Sequence, residues 1–213
     1  MWAWNEKAKR YYNTETGRFL SKTEALGYVE QSLAASGSAT DLLAGYVADG
    51  MLAPGDWRAL MREEIKREYI REYLLGIGGR DQMTQADWGS IGGMLKEQYG
   101  YLDAFADDVA AGRLSEAQVR SRARMYVNSA REAYERANAR AQSGGELVLP
   151  AYPGDGQTVC LTNCNCSWNI AEVYDENGVL IGWDCTWVVN HAAENCDDCL
   201  ANEQKWAPLE VRI

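Results

Sequence analysis

The sequence predicts a mainly α protein: an up-and-down helical bundle followed by a small cysteine-rich β-hairpin module. Three observations predict it. Helix-start signals recur at nearly even spacing from Ser21 to Ser115, apolar residues follow them at three- and four-residue steps, and all six cysteines of the 213-residue chain fall between Cys160 and Cys199. A hydrophobic fraction of 46% with 24% charged residues is ordinary for a chain that buries a core. The composition divides into an N-terminal arm (1–20), a bundle (21–145) and a cysteine-rich module (146–213).

The arm is aromatic and basic. YYNTETGRFLS reads as extended chain turning near Gly17, with Trp2, Trp4, Tyr11, Tyr12 and Phe19 as anchors. Too short for a core of its own, it either folds back on its own helices or docks on a neighbouring subunit.

From Ser21 onward the chain repeats. Leu52, Met83 and Leu114 stand 31 residues apart, and APGD, TQAD and SEAQ follow them. Thr84 with Asp87 and Ser115 with Gln118 have the spacing of capping boxes, in which a hydroxyl and a third-position side chain satisfy first-turn amides reciprocally. Pro54 suits a first helical position, where a missing amide proton costs nothing. Ser21 with Glu24 makes a fourth start. Evenly spaced starts imply helices of similar length returning antiparallel.

The first helix is expected to run from Ser21 to Gly37, break at SGSAT and restart at Asp41. The second buries Trp57, Leu60, Met61, Ile65, Tyr69 and Tyr73, with Glu63, Arg67 and Arg71 on the solvated side. The third buries Trp88, Ile91, Leu95, Tyr99, Leu102, Phe105 and Val109; its Gly89, Gly92, Gly93 and Gly100 read as points of close helix contact or a kink, since each lowers helix propensity by about 1 kcal/mol. The last, from Ser115 to Gln142, carries small Ala123, Ala130, Ala133 and Ala137 with Arg120, Arg124, Arg131, Arg136 and Arg140. Those arginines form a solvated face or a strip for an acidic partner. Gly144, Gly145, Pro150 and Pro153 then mark the boundary.

Charge and hydropathy exclude some functions. The net charge of −10 is uneven: residues 147–213 contribute −8 and residues 1–146 contribute −2. An acidic cysteine-rich end disfavours a nucleic-acid ligand, because phosphate binding draws on Lys and Arg. No run of 18 apolar residues occurs, and MWAWNEKAKRYYN lacks the order of basic end, apolar core and small-residue cleavage site of a secretory signal, so no membrane association and a cytoplasmic address are expected.

In the module, Asn177-Gly178 reads as a two-residue hairpin turn. Pairs then sum to 355: Trp168 faces Trp187, Ile170 faces Cys185 and Cys164 faces His191. That register gathers Cys160, Cys164 and Cys166 with His191, Cys196 and Cys199 at one end and leaves Cys185 packed among Trp183, Trp187 and Ile170. Cys196-Asp197-Asp198-Cys199 has the spacing of two thiolates on one zinc ion, and a two-stranded ribbon buries too little to hold itself. A structural Zn2+ is the preferred reading, beside disulfides and free thiols. The metal residues are therefore Cys160, Cys164, Cys166, Cys196 and Cys199; Cys196 and Cys199 are the firmest, two more come from the other three, and His191 is an alternative ligand. H-x-x-E at His191 and N-C-D-D-C lack the pattern of a catalytic zinc site, and no phosphate-binding glycine loop or Ser-His-Asp set stands out. No catalytic residue and no enzyme activity are expected; a zinc hydrolase is the weaker alternative, and a cytosolic zinc-ribbon adaptor the stronger one.

The combination of YYNTETGRFLS, GG-x3-MT-x2-DWG, QYGYLDAFADDVAAG, PGDGQTVCLTNCNCSW, ENCDDC and WAPL resembles minor head or head-morphogenesis proteins of tailed bacteriophages and their prophage relatives. Many relatives are longer and carry a W-x-T-x2-D-x-x-C-x2-C run absent here in that form. The resemblance implies a structural virion or procapsid component, oligomeric in assembly, that contacts capsid or portal proteins in the virion or host cytoplasm. It also implies a metal-binding module on the same five cysteines.

Overall fold

The computed structural model describes residues 2–213. It is mainly helical with two small antiparallel sheets. β1 (Trp2–Asn5) and β2 (Arg10–Asn13) form a hairpin, five helices follow, and a second sheet holds β3 (Ser167–Tyr174), β4 (Leu180–Val188) and β5 (Leu209–Arg212) in that order. The helices are α1 (Lys22–Ala48), α2 (Pro54–Ile77), α3 (Gln85–Ala110), α4 (Glu116–Asn128), α5 (Arg131–Ser143) and, between β4 and β5, α6 (Asp197–Lys205).

The helix starts lie where the capping signals place them. Ser21 with Glu24, Thr84 with Asp87 and Ser115 with Gln118 form complete capping boxes, and Pro54 occupies the first turn of α2. α2 is the central helix: Trp57, Met61, Ile65 and Tyr69 are fully buried, and α1, α3 and α5 pack around it. Trp57 meets Phe105 edge-on at 5.1 Å, and Phe105 stacks on Tyr126 at 5.9 Å. Gly76 lets α5 approach α2; a β-carbon there would collide with the Tyr134 carbonyl and the Ala137 methyl.

Several expectations need correction. α1 does not break at SGSAT. Ser38 Oγ donates to Ala34 O (3.0 Å) and Thr40 Oγ1 to Gly37 O (2.9 Å), so these side chains bond back onto their own helix, while Ser36 points inward. The last helix is two, α4 on α1 and α5 on α2. The break at Ser129 is fixed by the buried Tyr69 hydroxyl, which donates to Ser129 Oγ (2.8 Å). Leu60 and Trp88 are exposed, off the edge of their stripes. Gly89, Gly92, Gly93 and Gly100 face open space, so no neighbour requires them to be small.

The arginines of α4 and α5 find partners within the chain. Arg124 pairs with Asp41, Arg131 with Glu30, Arg136 with Glu132 and Arg140 with Asp87, while Arg120 reaches Glu116 and the Asp41 carbonyl. Glu68, fully buried, accepts from Ser32 (3.1 Å), Ser36 (2.5 Å) and Arg71 (2.9 Å).

The arm lies on the helices. Trp4 and Tyr11 belong to the helical core, the Trp4 amide donates to Gly78 O, and the Tyr11 hydroxyl donates to Gly76 O (2.5 Å). No described helix is long and apolar enough to cross a membrane.

Candidate metal centre

The centre is assembled from three pieces of chain that sequence order keeps apart. The first is the loop after α5. Leu147, Leu149, Ala151 and Tyr152 anchor it in a second apolar core, and Asp155 closes a turn by accepting from the amides of Tyr152 (2.7 Å) and Gln157 (2.9 Å). Two tight turns follow, with the Leu161 amide donating to Thr158 O and the Asn163 amide to Cys160 O. Leu161 takes a left-handed backbone conformation (φ 51°), rare for a branched residue without a structural reason. The turns bring Cys160 and Cys164 round to one side, and Cys166 follows at the entry to β3.

The second piece is the hairpin. Pairs from Ser167↔Val188 to Val173↔Gly182 keep the expected sum of 355. The turn itself differs. Asp175 pairs with Val179, and Gly178 takes φ 76°, so the connection has three residues, with Asp175 accepting from the amides of Asn177 and Val179. The extra residue shifts Tyr174 onto Leu180, and a bulge at Ile181 restores the original pairing. Trp168 and Trp187 therefore face each other, 5.2 Å apart and perpendicular, with Trp206 against both.

The third piece is α6. Cys196 is its N-cap residue and Cys199 lies in its first turn, while Asp198 ties it to the loop by accepting from the Val159 amide (2.8 Å). The Trp187 amide donates to Trp206 O, fixing the far end of α6 to β4.

These pieces bring five thiols together. Cys160, Cys196 and Cys199 form one group with all sulfurs within 4.8 Å of one another, and Cys164, Cys166 and Cys199 form a second. Cys199 is the shared member, with Cys160 Sγ 3.7 Å and Cys164 Sγ 3.6 Å away. A zinc ion with Zn–S bonds of about 2.3 Å sets tetrahedral sulfurs about 3.8 Å apart, so these separations suit a thiolate-bound metal. The donor set is all soft sulfur, which favours Zn2+ or Cu+ over hard cations. The cluster can hold a metal ion, and all six cysteines are free thiols.

The thiols are electrostatically unequal. Hydrogen bonds from the Cys166 thiol and amide bring Cys164 down to about 6, against the effect of burial. Burial also opposes ionisation of Cys196, but bonds from the amides of Cys199 and Cys160 outweigh it and lower this thiol as well. Cys160 is pushed up to about 11, chiefly by burial; Cys166 is raised by donating to Cys164, and Cys199 by burial.

Cys185 stands apart: fully buried opposite Ile170 and raised to about 11 by burial, it belongs to neither group. His191 is not brought in. β3 begins at Ser167 and β4 ends at Val188, so the ladder stops before it can set Cys164 opposite His191; the imidazole is exposed, 3.5 Å from Glu203.

Sequence reasoning missed the buried acid beneath the centre. Glu135 of α5 accepts from the Trp168 amide (3.4 Å), and the Lys22 ammonium donates to the Trp168 carbonyl (2.9 Å). Burial raises Glu135 to about 7 although Arg131 and Lys22 oppose the rise. No local signal marked it: at helical spacing Glu135 falls opposite the small-residue stripe Ala133, Ala137, Ala141 and shares its face with Arg131 and Ala139. Compared with protein-family models, curated proteins and solved structures, the chain matches none.

Proposed function

We propose that the protein is a non-enzymatic structural component of a tailed-bacteriophage head. In this reading, an up-and-down bundle carries a zinc-stapled hairpin, and both act through contacts with capsid or portal proteins. The observation that carries the structural role is the enclosure of the thiol cluster. Cys164, Cys166 and Cys199 are buried, and sulfur donors approach from the loop, the strand entry and α6. A catalytic zinc keeps a position open to water and substrate, whereas a structural one is closed by protein ligands. The head assignment rests on the sequence resemblance.

The test has two parts. Elemental analysis should find about one zinc per chain, with all six thiols titratable under denaturing, non-reducing conditions. Metal-free protein with no titratable thiols overturns the staple. Co-expression with the capsid and portal proteins of the same phage should give a co-purifying oligomer; a chain that remains monomeric in their presence overturns the head assignment and favours a cytosolic adaptor.

A further inference from the structure

Where the arm, the bundle and the module meet, the fold leaves a cleft of about 270 Å3. Trp4 and Tyr11 of the β1–β2 hairpin, Ala25 of α1, Tyr134 of α5 and Trp168 of β3 contribute its aromatic and apolar walls. We propose that this cleft binds a small organic anion, one carboxylate or phosphate group on a compact apolar body. Such a site needs neither the metal centre nor the head assignment.

Charge sets the cleft apart. The chain has a net charge of −10, yet Lys9, Arg10 and Lys22 line the cleft and no carboxylate does among the described residues. Lys9 is answered by Glu6 and by Glu172 (3.4 Å). The other two cations meet neutral groups: the Arg10 guanidinium donates to the Leu20 carbonyl (3.4 Å) and lies over the Phe19 ring, and the Lys22 ammonium donates to the Trp168 carbonyl (2.9 Å). Neither forms an ion pair among the described residues. Guanidinium and ammonium groups carry several N–H donors each, so both keep some for a ligand. Glu135 is the acid whose field reaches Lys22, but it is buried behind the Trp168 amide, from which it accepts, and is not part of the cleft lining.

The floor adds a donor. Asn138 lines the cleft and is only 7% exposed. Its Oδ1 accepts from the Gln142 side-chain amide (3.1 Å) and lies 2.9 Å from the Tyr11 hydroxyl, while its Nδ2 has no partner among the described residues. An unmet donor in so enclosed a place is unfavourable until something accepts from it. Arg10 and Lys22 are exposed and stand at the mouth, so an anion held there turns its apolar body to the aromatic walls. An apolar concavity with a few placed polar groups, at the join of structural units, is the usual make-up of a small-molecule site. Such pockets commonly measure about 300–1,000 Å3, so this one suits a single ring or short chain and not a nucleotide. The cleft of about 590 Å3 beside α4 is different: Glu97, Glu132 and Asp155 line it as well as Arg122 and Arg136, and both arginines are paired.

Calorimetric titration of the full-length chain with benzoate, phenyl phosphate and neutral benzamide tests this. At least one of the two anions should bind saturably, about one per chain, with a dissociation constant of about 1 mM or tighter, and benzamide about tenfold more weakly or worse. Tighter binding of benzoate assigns the site to carboxylates, and tighter binding of phenyl phosphate to phosphate esters. Arg10→Gln and Lys22→Gln should each weaken the bound anion about tenfold, the worth of one charge-assisted hydrogen bond, whereas Lys9→Gln, already paired, should change it less than about threefold. Thermal denaturation of each variant checks that the fold is intact. No saturable binding of either anion up to about 10 mM, benzamide bound as tightly as the anions, or undiminished binding in both Arg10→Gln and Lys22→Gln each overturns the proposal.

Discussion

Trp57 and Trp168 are both fully buried, yet what holds each in place differs. Trp57 sits in α2, a 24-residue helix flanked by α1 and α3 of 27 and 26 residues, and its neighbours are side chains that reach it across helix faces. Trp168 sits in an eight-residue strand paired with a nine-residue strand, in a sheet completed by a four-residue strand and flanked by a nine-residue helix, and it packs on two other tryptophans. A nine-residue helix is marginal alone, and a small sheet buries little. The body is held by apolar area spread over long elements. The module concentrates three tryptophans and gathers five thiols that can hold a metal ion. Where elements are long, many weak contacts suffice; where they are short, the proposed metal would supply what those contacts do not.

The largest expected effect breaks the two regions apart. On the proposed metal centre, stripping the metal with a chelator, or removing the thiol shared by both groups through Cys199→Ser, should abolish the near-ultraviolet signature of Trp168, Trp187 and Trp206 while most of the far-ultraviolet helical signal persists. Structural zinc contributes on the order of 10 kcal/mol to small metal modules, far more than one packed side chain. Cys185→Ser should retain the metal and cost about 1–3 kcal/mol for a buried hydroxyl without a partner. If all helical signal vanished with the metal, the two cores would be one.

Next in size are the tryptophans themselves. Trp57→Ala should destabilise the body by about 3–5 kcal/mol in chemical denaturation followed by far-ultraviolet circular dichroism. Trp168→Ala should cost a similar amount, read instead by the stability of the metal-loaded module, because it removes contacts to both Trp187 and Trp206 and leaves the Ala151 carbonyl without its indole donor (2.9 Å). A reversal, with Trp168→Ala melting the helices first, would contradict the division.

Glu135 lies on the seam, and its titration measures how the regions are joined. Its folded-state value of about 7 is above the ordinary 4.5, so the folded protein holds this proton more tightly than the unfolded chain. The stabilisation is complete below about pH 4.5 and is lost as pH rises through about 7. Glu135→Gln should remove that slope. Relative to wild type, the variant should be more stable at pH 8 than at pH 5 by about 3 kcal/mol as an order of magnitude, read from urea unfolding. An unchanged slope would show that Arg131 and Lys22 keep the carboxylate ionised in the seam.

The body was legible to the extent that its signals are local. Capping boxes involve residues three apart, and stripes repeat within one helix, so the starts at Ser21, Pro54, Thr84 and Ser115 can be read from neighbours alone. The continuity of α1 through Ser36-Gly37-Ser38 was not, because part of what keeps it helical, the buried carboxylate of Glu68, comes from another helix. Ser129 hides a helix break for the same reason: its partner is Tyr69. In the module, the expected two-residue turn at Asn177-Gly178 led to the right strand register only because the third residue of the actual turn is offset by the bulge at Ile181. The gathering of five thiols followed from that register. His191 did not join them, because no local pattern says where a ladder ends.

The smallest expected effect isolates a local signal from everything else. Ser115 caps α4 at the surface: its hydroxyl accepts from the Gln118 amide (3.4 Å), and Gln118 Oε1 accepts from the Ser115 amide (2.9 Å). Ser115→Ala should therefore cost about 1 kcal/mol of body stability, the ordinary worth of a cap, and leave metal content unchanged. Thr84→Ala removes the same type of cap but should cost more. Its partner Asp87 is buried, accepts from the Tyr73 hydroxyl (2.7 Å) and pairs with Arg140 (2.6 Å), so losing the threonine hydroxyl weakens a network and not only a helix end. Equal losses in the two variants, measured by thermal denaturation, would mean that Asp87 is held by Tyr73 and Arg140 alone. A change of metal content in Ser115→Ala would mean that a surface cap on α4 is felt at Cys199, and that the two cores share more than the seam at Glu135.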